Sequence, residues 1–515
     1  MTGELKGASS LLAGAVATIG ELFRTCAQIH SAATAIEYQG RQISYGQLSN
    51  RVERLTAVLA AHGVRRGDRV ALLSHNRPEY FEVELAAANL GAMTACLNWR
   101  LSQRELAYCV DLVSPKLVIV EEETAGILPP PTLENRKVIG IGAHYEMLLR
   151  QQTGRPAPIL AESEDGLVIL YTSGTTGLPK GAVISHRAMV MRALVFSSEL
   201  NISHHHSFVA WAPMFHMAST DHGLATLLRG GTVVMIDGFQ VEALLAAVER
   251  HHIGWLVLIP GMVEAFAAAL KAQATPVKGV GVCGAMADLV PPHAIAEVTE
   301  LLQAPYLNSF GSTETGLPPA TRALIPVGKI PNSLSKQQNA FCQIKLVDSS
   351  DDEVAPGMPG ELAIRGATLF SGYWHAEETN ARDFRGGWFH MGDMFRRNED
   401  GSLDFVDRAK YMIKTGGENV YPAEIERVLM SDTRITEAVV VRTADQKWGE
   451  VPVAFVSCRD GTVSEANLIE LCRRDLAAYK RPRQFHFIEF SEFPRSTSGK
   501  VQRHELEARL GKGKP

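Results

Sequence analysis

Short apolar segments alternate with helical segments through the first half of the chain, and this alternation most constrains its fold. Val70–Leu73 and Leu117–Val120 are apolar runs of strand length. Between them, Pro78 suits the first turn of a helix that would stop at Gly91. Three later runs fit the same strand pattern: Leu167–Leu170, Phe208–Trp211 and Leu256–Ile259. This order predicts an α/β fold with a parallel sheet covered by helices on both faces.

Two further local patterns extend this prediction. Ser102, with Glu105 three residues later, is a capping box that predicts a helix over Arg104–Val113. From about Lys410 the pattern of predicted helices and strands changes to that of a small α+β domain. Its predicted elements are a helix around Ala423–Met430, strands at Ala438–Val441 and Val453–Ser457, and a helix through Ala466–Ala478.

Composition excludes several classes of protein. Lys and Arg number 51 against 56 Asp and Glu, a net charge of −5, which excludes a general electrostatic affinity for nucleic acid or anionic lipid. No apolar run reaches the roughly 18–20 residues of a membrane span. We expect no secretory signal, because no basic cluster precedes Leu11–Ile19. The seven cysteines include no C-x-x-C pair, which predicts reduced thiols in a cytoplasmic protein.

One loop carries the clearest chemical signal. After an apolar strand, the chain concentrates hydroxyls, glycines and one lysine: Thr172, Ser173, Gly174, Thr175, Thr176, Gly177 and Lys180. Glycines allow backbone N–H groups to crowd around an anion, and hydroxyls and an ammonium add donors, so the loop suits a polyphosphate. It is not a Walker loop, because Ala182 follows Gly181. The alternative is a polar turn between two strands.

The loop resembles the phosphate loop of the adenylate-forming superfamily, and further landmarks of that superfamily follow in order. They are Asn308–Glu314, Gly360–Leu362 with Arg365–Gly366, Gly372–Trp374, Gly387–Asp393, Asp407–Lys410, Lys414–Glu424 and Arg495–Lys500. The chain is identified as a member that resembles AMP-forming acid–CoA ligases, or acyl-CoA synthetases. The resemblance implies a large N-terminal domain of layered sheets and helices over 1–407, a hinge at 408–410 and a small mobile α+β domain over 411–515.

The resemblance also implies the nucleotide site. Glu314 would bind magnesium, Asp393 the ribose hydroxyls, and Lys500 the charge that develops on the α-phosphoryl group. The full implied ATP and AMP set is Thr172, Ser173, Gly174, Thr175, Thr176, Gly177, Lys180, Gly284, Ala285, Asn308, Ser309, Phe310, Gly311, Thr313, Asp393, Phe405 and Arg408. Structural alternatives remain open: Asp393 as a loop cap, Phe310 as a core aromatic and Lys500 as a solvated lysine.

A second half-reaction, thiol attack on the acyl-adenylate, is implied with rotation about Lys410. The CoA-binding residues would be Arg100, Gly416, Gly417 and Trp448, and His216 would act in catalysis as part of a gate with Phe215. The implied acyl pocket contains Phe215, Met217, Ala218, Thr220, Met286, Gly316 and Leu317. None of these is a lysine or arginine, which favours a neutral, hydrophobic acid (fatty, aromatic or alicyclic) over a dicarboxylate.

The resemblance therefore predicts an AMP-forming acid–CoA ligase that uses ATP, Mg²⁺ and CoA, without nucleic-acid partners or an integral membrane segment. A homodimer is common among such relatives. Two alternatives remain: a ligase that loads the phosphopantetheine of a carrier protein, and a non-catalytic nucleotide-binding relative. Arg100 and Trp448 favour free CoA, because a carrier lacks the 3′-phosphoadenosine that these side chains would contact.

Overall fold

The computed structural model describes residues 17–134, 136–153, 158–172, 178–259, 261–415, 418–459, 462–495 and 501–511. The chain divides into an N-terminal unit, Met1–Gln343 with Arg365–Phe384, and a C-terminal unit, Ile344–Ile364 with Arg385–Pro515. The predicted α/β class, with a large first and a smaller second domain, is confirmed. The hinge at 408–410 is a statement about motion, and it stays a prediction.

The elements are numbered in chain order. The strands are β1 (Thr34–Tyr38), β2 (Arg41–Ser44), β3 (Arg69–Leu73), β4 (Met93–Cys96), β5 (Leu117–Glu121), β6 (Lys137–Ile141), β7 (Gly166–Thr172), β8 (Lys180–Ser185), β9 (Ser207–Ala210), β10 (Val233–Met235), β11 (Ile253–Leu256), β12 (Val280–Cys283), β13 (Tyr306–Leu307), β14 (Phe310–Ser312), β15 (Gly316–Ala320), β16 (Leu324–Ile325), β17 (Gln343–Val347), β18 (Pro359–Arg365), β19 (Gly372–Tyr373), β20 (Phe389–Arg397), β21 (Leu403–Arg408), β22 (Ile413–Thr415), β23 (Glu418–Val420), β24 (Ile435–Asp445), β25 (Gly449–Cys458) and β26 (Phe485–Phe487). The α-helices are α1 (Ile19–Ile29), α2 (Tyr45–Ala61), α3 (Pro78–Leu90), α4 (Gln103–Val113), α5 (Glu122–Ala125), α6 (Pro130–Leu133), α7 (Ala143–Arg150), α8 (His186–Glu199), α9 (Met217–Arg229), α10 (Val241–Arg250), α11 (Val263–Gln273), α12 (Pro292–Leu302), α13 (Glu377–Asp383), α14 (Pro422–Leu429), α15 (Glu465–Asp475) and α16 (Arg503–Gly511).

The first sheet of the N-terminal unit contains the predicted strand–helix alternation. Its strand order is β19-β8-β7-β4-β3-β5-β6, and β3 to β7 run parallel. The predicted strands Val70–Leu73, Leu117–Val120 and Leu167–Leu170 are confirmed as β3, β5 and β7. At one edge, β8 and β19 run antiparallel, because the short connection after β7 forms a hairpin that the parallel prediction did not include.

The second sheet of this unit has the order β16-β13-β12-β11-β9-β10-β1-β2, with antiparallel strands β2 and β16 at its edges. The predicted strand Phe208–Trp211 corresponds to β9. The prediction of a strand over Leu256–Ile259 was wrong in position, because β11 ends at Leu256. Val257 and Leu258 are buried in the loop that follows, so the apolar run extends past the end of the strand.

Helix ends follow the local sequence. The capping box of Ser102 and Glu105 is confirmed at the start of α4, and Gly91 ends α3 in the left-handed region with φ of 66°. Nearly every residue of α3 is buried, which its largely apolar sequence explains. The helix nevertheless carries Glu82 and Glu84 into the interior, and Arg51 pairs with Glu82.

The C-terminal unit contains two sheets. One has the order β17-β18-β20-β21, and the other has the order β23-β22-β25-β24 with β26 beside β25. The predicted strands Ala438–Val441 and Val453–Ser457 fall within β24 and β25, and the predicted helix Ala423–Met430 corresponds to α14, which ends one residue earlier at Leu429. Helix α15 ends three residues earlier than the predicted Ala466–Ala478. Within the described ranges, no helix is long and apolar enough to cross a membrane.

Candidate active site

Thr172 and Lys180 frame the predicted phosphate loop. They are Cα partners at the end of the β7–β8 hairpin. Because β7 runs parallel to β4, Thr172 lies at the edge where parallel strands end, the edge at which α/β sheets bind ligands. Five predicted phosphate-binding residues lie outside the described residues: Ser173, Gly174, Thr175, Thr176 and Gly177. Their contact with phosphate stays a prediction.

Tyr373 lies between Lys180 and Glu314, two residues far from each other in sequence, and contacts both. The Tyr373 hydroxyl donates a hydrogen bond to Oε1 of Glu314 at 2.7 Å, and the Lys180 ammonium lies 4.1 Å from the centre of the Tyr373 ring. Burial, and then the charge of Glu314, raise the pKa of Tyr373, so its phenol remains a donor at neutral pH. Tyr373 lies within the landmark Gly372–Trp374, but its contact with Glu314 was not predicted from sequence.

The site also fits the magnesium ion predicted at Glu314. A carboxylate is a hard oxygen ligand, and Mg²⁺ is usually held by one or two carboxylates together with phosphate oxygens. Glu314 is half-buried, and its backbone carbonyl accepts the Phe370 N–H at 2.8 Å, which fixes its position. The ammonium of Lys180 lies on the same tyrosine, so a cation and a carboxylate stand where a metal-bound polyphosphate would need both.

The predicted adenine segment is a tight hairpin of β14 and β15. A Cβ on Gly311 would lie 2.1 Å from the Gly316 carbonyl oxygen, so only glycine permits this approach of the two backbones. The Thr315 hydroxyl accepts the Ser312 N–H at 3.0 Å and closes the turn. Phe310 begins this hairpin and Thr313 lies in its turn, both only partly buried.

Asn308 and Ser309, which precede this hairpin, are buried. The Asn308 amide donates to the Leu334 carbonyl at 2.8 Å and accepts from the Lys336 ammonium at 2.7 Å. Lys336, which is fully buried, also pairs with Asp288 at 2.7 Å. Sequence reasoning missed Lys336, because a lysine in a polar loop gives no signal of burial.

Gly284 and Ala285 follow β12, at the carboxyl edge of the second sheet. Gly284 has φ of 74°, and its carbonyl accepts the Trp255 indole N–H at 2.8 Å. The Tyr306 hydroxyl donates to the Ala285 carbonyl at 3.1 Å. These two bonds fix the loop, while Met286 beside it has φ of 50° and is exposed.

The predicted gate and the predicted CoA arginine lie together. Phe215 contacts Trp99 edge-on at 6.3 Å, and the Arg100 guanidinium lies 4.8 Å from the Trp99 ring and 6.0 Å from the Phe215 ring. His216 caps α9, with its Nδ1 accepting the Ala218 N–H at 3.1 Å. Trp99 links the two predictions and was itself missed.

Asp393 and Arg408 form a pair in the C-terminal unit. They are Cα partners on β20 and β21, and Nε of Arg408 lies 3.1 Å from Oδ1 of Asp393. Asp393 is buried, whereas the Arg408 side chain is 44% exposed. Phe405 on β21 packs against Phe395.

The backbone beside the predicted hinge residue is fixed by Asp407. Its buried carboxylate accepts the N–H groups of Arg408 and Ala423, at 2.6 and 2.8 Å. Burial raises the pKa of Asp407 to about 6. Lys410 lies in a short 3₁₀ turn, Ala409–Tyr411, with its ammonium over the Tyr411 ring.

Of the four other site residues predicted in the C-terminal unit, the structure describes only Trp448. Trp448 is exposed in the β24–β25 turn, where its backbone N–H donates to Oδ1 of Asp445 at 2.8 Å. Gly416, Gly417 and Lys500 lie outside the described residues. Their roles in CoA binding and catalysis stay predictions.

The predicted acyl residues have different surroundings. Met217 and Ala218 begin α9, whereas Thr220 is fully buried, with its hydroxyl bonded to the Met214 carbonyl and 3.4 Å from Glu84. Leu317 lines a small cavity.

Gly316, next to Leu317, packs against a side chain that the sequence analysis missed, Arg192 of α8. A Cβ on this glycine would lie 3.0 Å from that side chain. The predicted acyl residues themselves include no lysine or arginine, but this arginine of a neighbouring helix lies beside one of them. The local signal was an arginine in the apolar stretch from Ala188 to Phe196 of α8, and sequence reasoning did not pair it with Asp221.

Comparison with known proteins identifies the family. The model of the AMP-binding enzyme family matches residues 23–374, and the model of the AMP-binding enzyme C-terminal domain matches residues 424–500. Together these matches cover most of the chain.

Similar proteins agree with this match over nearly full length. Indoleacetate–CoA ligase of Aromatoleum aromaticum is 33% identical over 92% of this chain and 94% of its own. Feruloyl-CoA synthase of Amycolatopsis is 32% identical over 93% and 96%. The solved structure of o-succinylbenzoate CoA synthetase from Bacillus subtilis, with its acyl-adenylate intermediate, superposes with a TM-score of 0.81 at 26% identity, over 94% and 97% of the two chains. The chain belongs to the AMP-binding enzyme family and is an AMP-forming acid–CoA ligase that uses ATP, Mg²⁺ and CoA.

Proposed function

We propose that this ligase activates a carboxylic acid with a neutral ring body, aromatic or alicyclic. The observation that carries the proposal is that Arg192, which packs against Gly316, has no nitrogen left for a substrate. Each of its three nitrogens is already engaged, with Asp221, the Thr368 carbonyl and the Thr313 carbonyl. A second carboxylate on the substrate would need a cation that this arginine does not offer. Two similar proteins are named for indoleacetate and ferulate, both ring acids, and these names support a ring in the substrate of this ligase.

In the first half-reaction, a carboxylate oxygen of the acid bonds to the α-phosphorus of ATP, and pyrophosphate leaves. We assign Lys180 and the loop before it to the phosphates, and Glu314 to the metal. Mg²⁺, when bound, neutralises charge on the phosphate oxygens. Asp393 would accept the ribose hydroxyls, with Arg408 beside it. Lys500 would stabilise the charge that builds on the α-phosphoryl oxygens.

In the second half-reaction, the CoA sulfur bonds to the acyl carbon, AMP leaves, and the thiol proton passes to solvent. The contact of Arg100 with Phe215 supports an approach of CoA beside the gate. We assign Arg100 to the phosphates of CoA and Trp448 to the adenine end of CoA. Between the half-reactions, the C-terminal domain would rotate about the hinge at Lys410. Gly416 and Gly417 would let the slim pantetheine pass close to the backbone.

A panel of acids tests the substrate class. Pyrophosphate release and thioester formation are measured for benzoate, phenylacetate, cyclohexanecarboxylate, hexanoate and succinate, with and without CoA. We expect at least one ring acid to exceed hexanoate in kcat/KM by about tenfold or more, and succinate to be the poorest. Equal or higher kcat/KM for hexanoate or succinate would contradict the proposal.

The role of Lys500 is tested by separating the half-reactions. Lys500→Ala should slow acyl-adenylate formation by about 10²–10³-fold, because a charge-stabilising donor is lost from the transition state. Thioester formation from supplied acyl-adenylate should persist. The matched control is Lys271→Ala, an exposed lysine on α11. A similar loss in both half-reactions would contradict this assignment.

We also propose a cytoplasmic location and a homodimer. Six of the seven cysteines are buried free thiols, Cys26, Cys96, Cys109, Cys283, Cys342 and Cys472, which suits a reducing compartment. The homodimer is an expectation from the superfamily, and light scattering of the purified protein tests it.

A further inference from the structure

A small cavity of the N-terminal unit is lined in part by Leu317 and Pro318 of the predicted adenine hairpin. Its volume is about 10 Å³, room for roughly one water-sized group. Its wall comes from α8, α9, β15 and the residue that follows β15, and includes Val195, Phe196, Asp221, His222, Leu317 and Thr321. Leu317 is also a predicted acyl residue. The cavity therefore adjoins the region assigned to the acid.

The wall contains hydrogen-bonding groups without partners. Nη1 of Arg192 binds Oδ2 of Asp221 at 2.9 Å, and both side chains are almost fully buried. Oδ1 of Asp221 and both ring nitrogens of His222 are buried and have no hydrogen-bond partner among the described residues. A buried polar group without a partner is destabilising, because the hydrogen bonds it made with water are lost and not replaced. Three such atoms on two adjacent residues are costly for the free protein and suit a ligand that supplies their partners.

The chemistry of the wall defines the partner. Burial, then the charges of Arg229 and Arg192, lower the pKa of His222 to about 3, so the ring is neutral, with one donor and one acceptor nitrogen. The ring is held between aromatic neighbours, 4.3 Å from Phe196 and 4.6 Å from Trp255. Its nitrogens therefore cannot turn toward solvent. Asp221 adds an acceptor oxygen, so the wall as a whole favours a group that donates.

We propose that this cavity is the far end of the acyl pocket and receives one small donor group, a hydroxyl or an amino group, on the ring of the acid. Asp221 and His222 are its partners. The inference rests on the proposed function and narrows it to hydroxy- or amino-substituted ring acids. A methyl group of the same size fills the cavity but leaves all three polar atoms without partners, so the protein discriminates by chemistry and not by volume.

Matched acids test the proposal on the wild-type enzyme. The acids are benzoate, phenylacetate and cyclohexanecarboxylate, each unsubstituted or with hydroxyl, amino or methyl at the 4-position, and kcat/KM is measured from pyrophosphate release. We expect the hydroxyl or amino member to exceed its methyl partner by about tenfold or more in at least one series. Methyl members that equal or exceed the donor members in every series overturn the inference. If ring acids as a class are poorer than hexanoate, the proposed function fails instead.

Two variants locate the discrimination. His222→Phe keeps a ring of similar size between Phe196 and Trp255 but removes both nitrogens, so the ratio of donor to methyl acid should fall toward one. Val195→Leu narrows the same cavity without changing its polarity, so both acids should slow by a similar factor. A ratio unchanged in His222→Phe overturns the role of His222. If that variant does not fold, His222→Leu, which also removes both nitrogens and leaves the Arg192–Asp221 pair intact, provides the same comparison, with the ratio again expected to fall.

Discussion

Two arginine–aspartate pairs, one in each compact unit, have similar distances and opposite exposures. Arg192 and Asp221 lie 2.9 Å apart with exposures of 3% and 2%, whereas Arg408 and Asp393 lie 3.1 Å apart with exposures of 44% and 3%. Neither member of the buried pair can replace the other with water, so the two side chains hold each other in one position. The half-exposed arginine is screened and can turn to a ligand. Burial, more than distance, separates the pair that lines the cavity from the pair that we propose to bind the nucleotide.

The largest expected effect comes from breaking the enclosed pair. Asp221→Leu leaves the Arg192 guanidinium buried without its counter-ion, and should lower the free energy of unfolding of the N-terminal unit by about 3–5 kcal/mol. Urea denaturation measures the change. The control is the double variant Arg192→Met with Asp221→Leu, which removes both charges and should recover most of the loss. A single variant as stable as the wild type would show that the pair is not enclosed in solution.

The next effect concerns Glu84, a fully buried carboxyl near Asp221. Burial raises its pKa to about 8, against 4.5 in the unfolded chain, with the charge of Asp221 acting in the same direction. Below pH 4.5 both states are protonated. As pH rises from 4.5 to 8, Glu84 ionises in the unfolded chain but stays protonated in the folded protein, so the free energy of unfolding falls progressively. We expect a loss of a few kcal/mol, at about 1.4 kcal/mol for each unit of pKa difference.

Denaturation of wild type, Glu84→Gln and Glu123→Gln at pH 5 and pH 8.5 checks this. Glu84→Gln should flatten the dependence on pH, because an amide does not ionise. The exposed Glu123 provides the same substitution at a site without burial, and its variant should follow the wild type. A wild type equally stable at both pH values would contradict the raised pKa.

Removing the carboxylate of the half-exposed pair should act on binding instead. Asp393→Asn loses a charged acceptor for the ribose and should raise KM for ATP by about 10–100-fold. Stability should change by less than about 1 kcal/mol. The control is Asp404→Asn on the neighbouring strand β21. A large loss of stability with an unchanged KM would assign Asp393 to loop capping.

The smallest effect is expected at an arginine that contacts aromatic rings. Arg100 is exposed over Trp99 and Phe215, and Arg100→Ala should raise KM for CoA by about five- to tenfold through loss of a phosphate contact. Arg104→Ala, an exposed arginine on α4, is the matched control. Equal KM values for CoA in the two variants would remove Arg100 from the CoA site.

Sequence predicted most of what depends on local pattern. The strands β3, β5 and β7, the capping box at Ser102 and the ordered landmarks all follow from short stretches of residues. Tertiary position was harder to predict. Tyr373 reaches Glu314 only because β19 pairs with β8, and Arg192 reaches Asp221 only because α8 and α9 pack together. The sequence around a helical arginine does not indicate which acidic residue will pair with it.

The most direct test of the account measures two quantities in two variants. KM for ATP and the ratio of kcat/KM for a donor acid to that for its methyl partner are determined in His222→Phe and in Asp393→Asn. The account predicts that His222→Phe loses the acid ratio and keeps KM for ATP, whereas Asp393→Asn raises KM for ATP and keeps the ratio. Changes in both quantities in both variants would contradict the separation of acid selection from nucleotide binding.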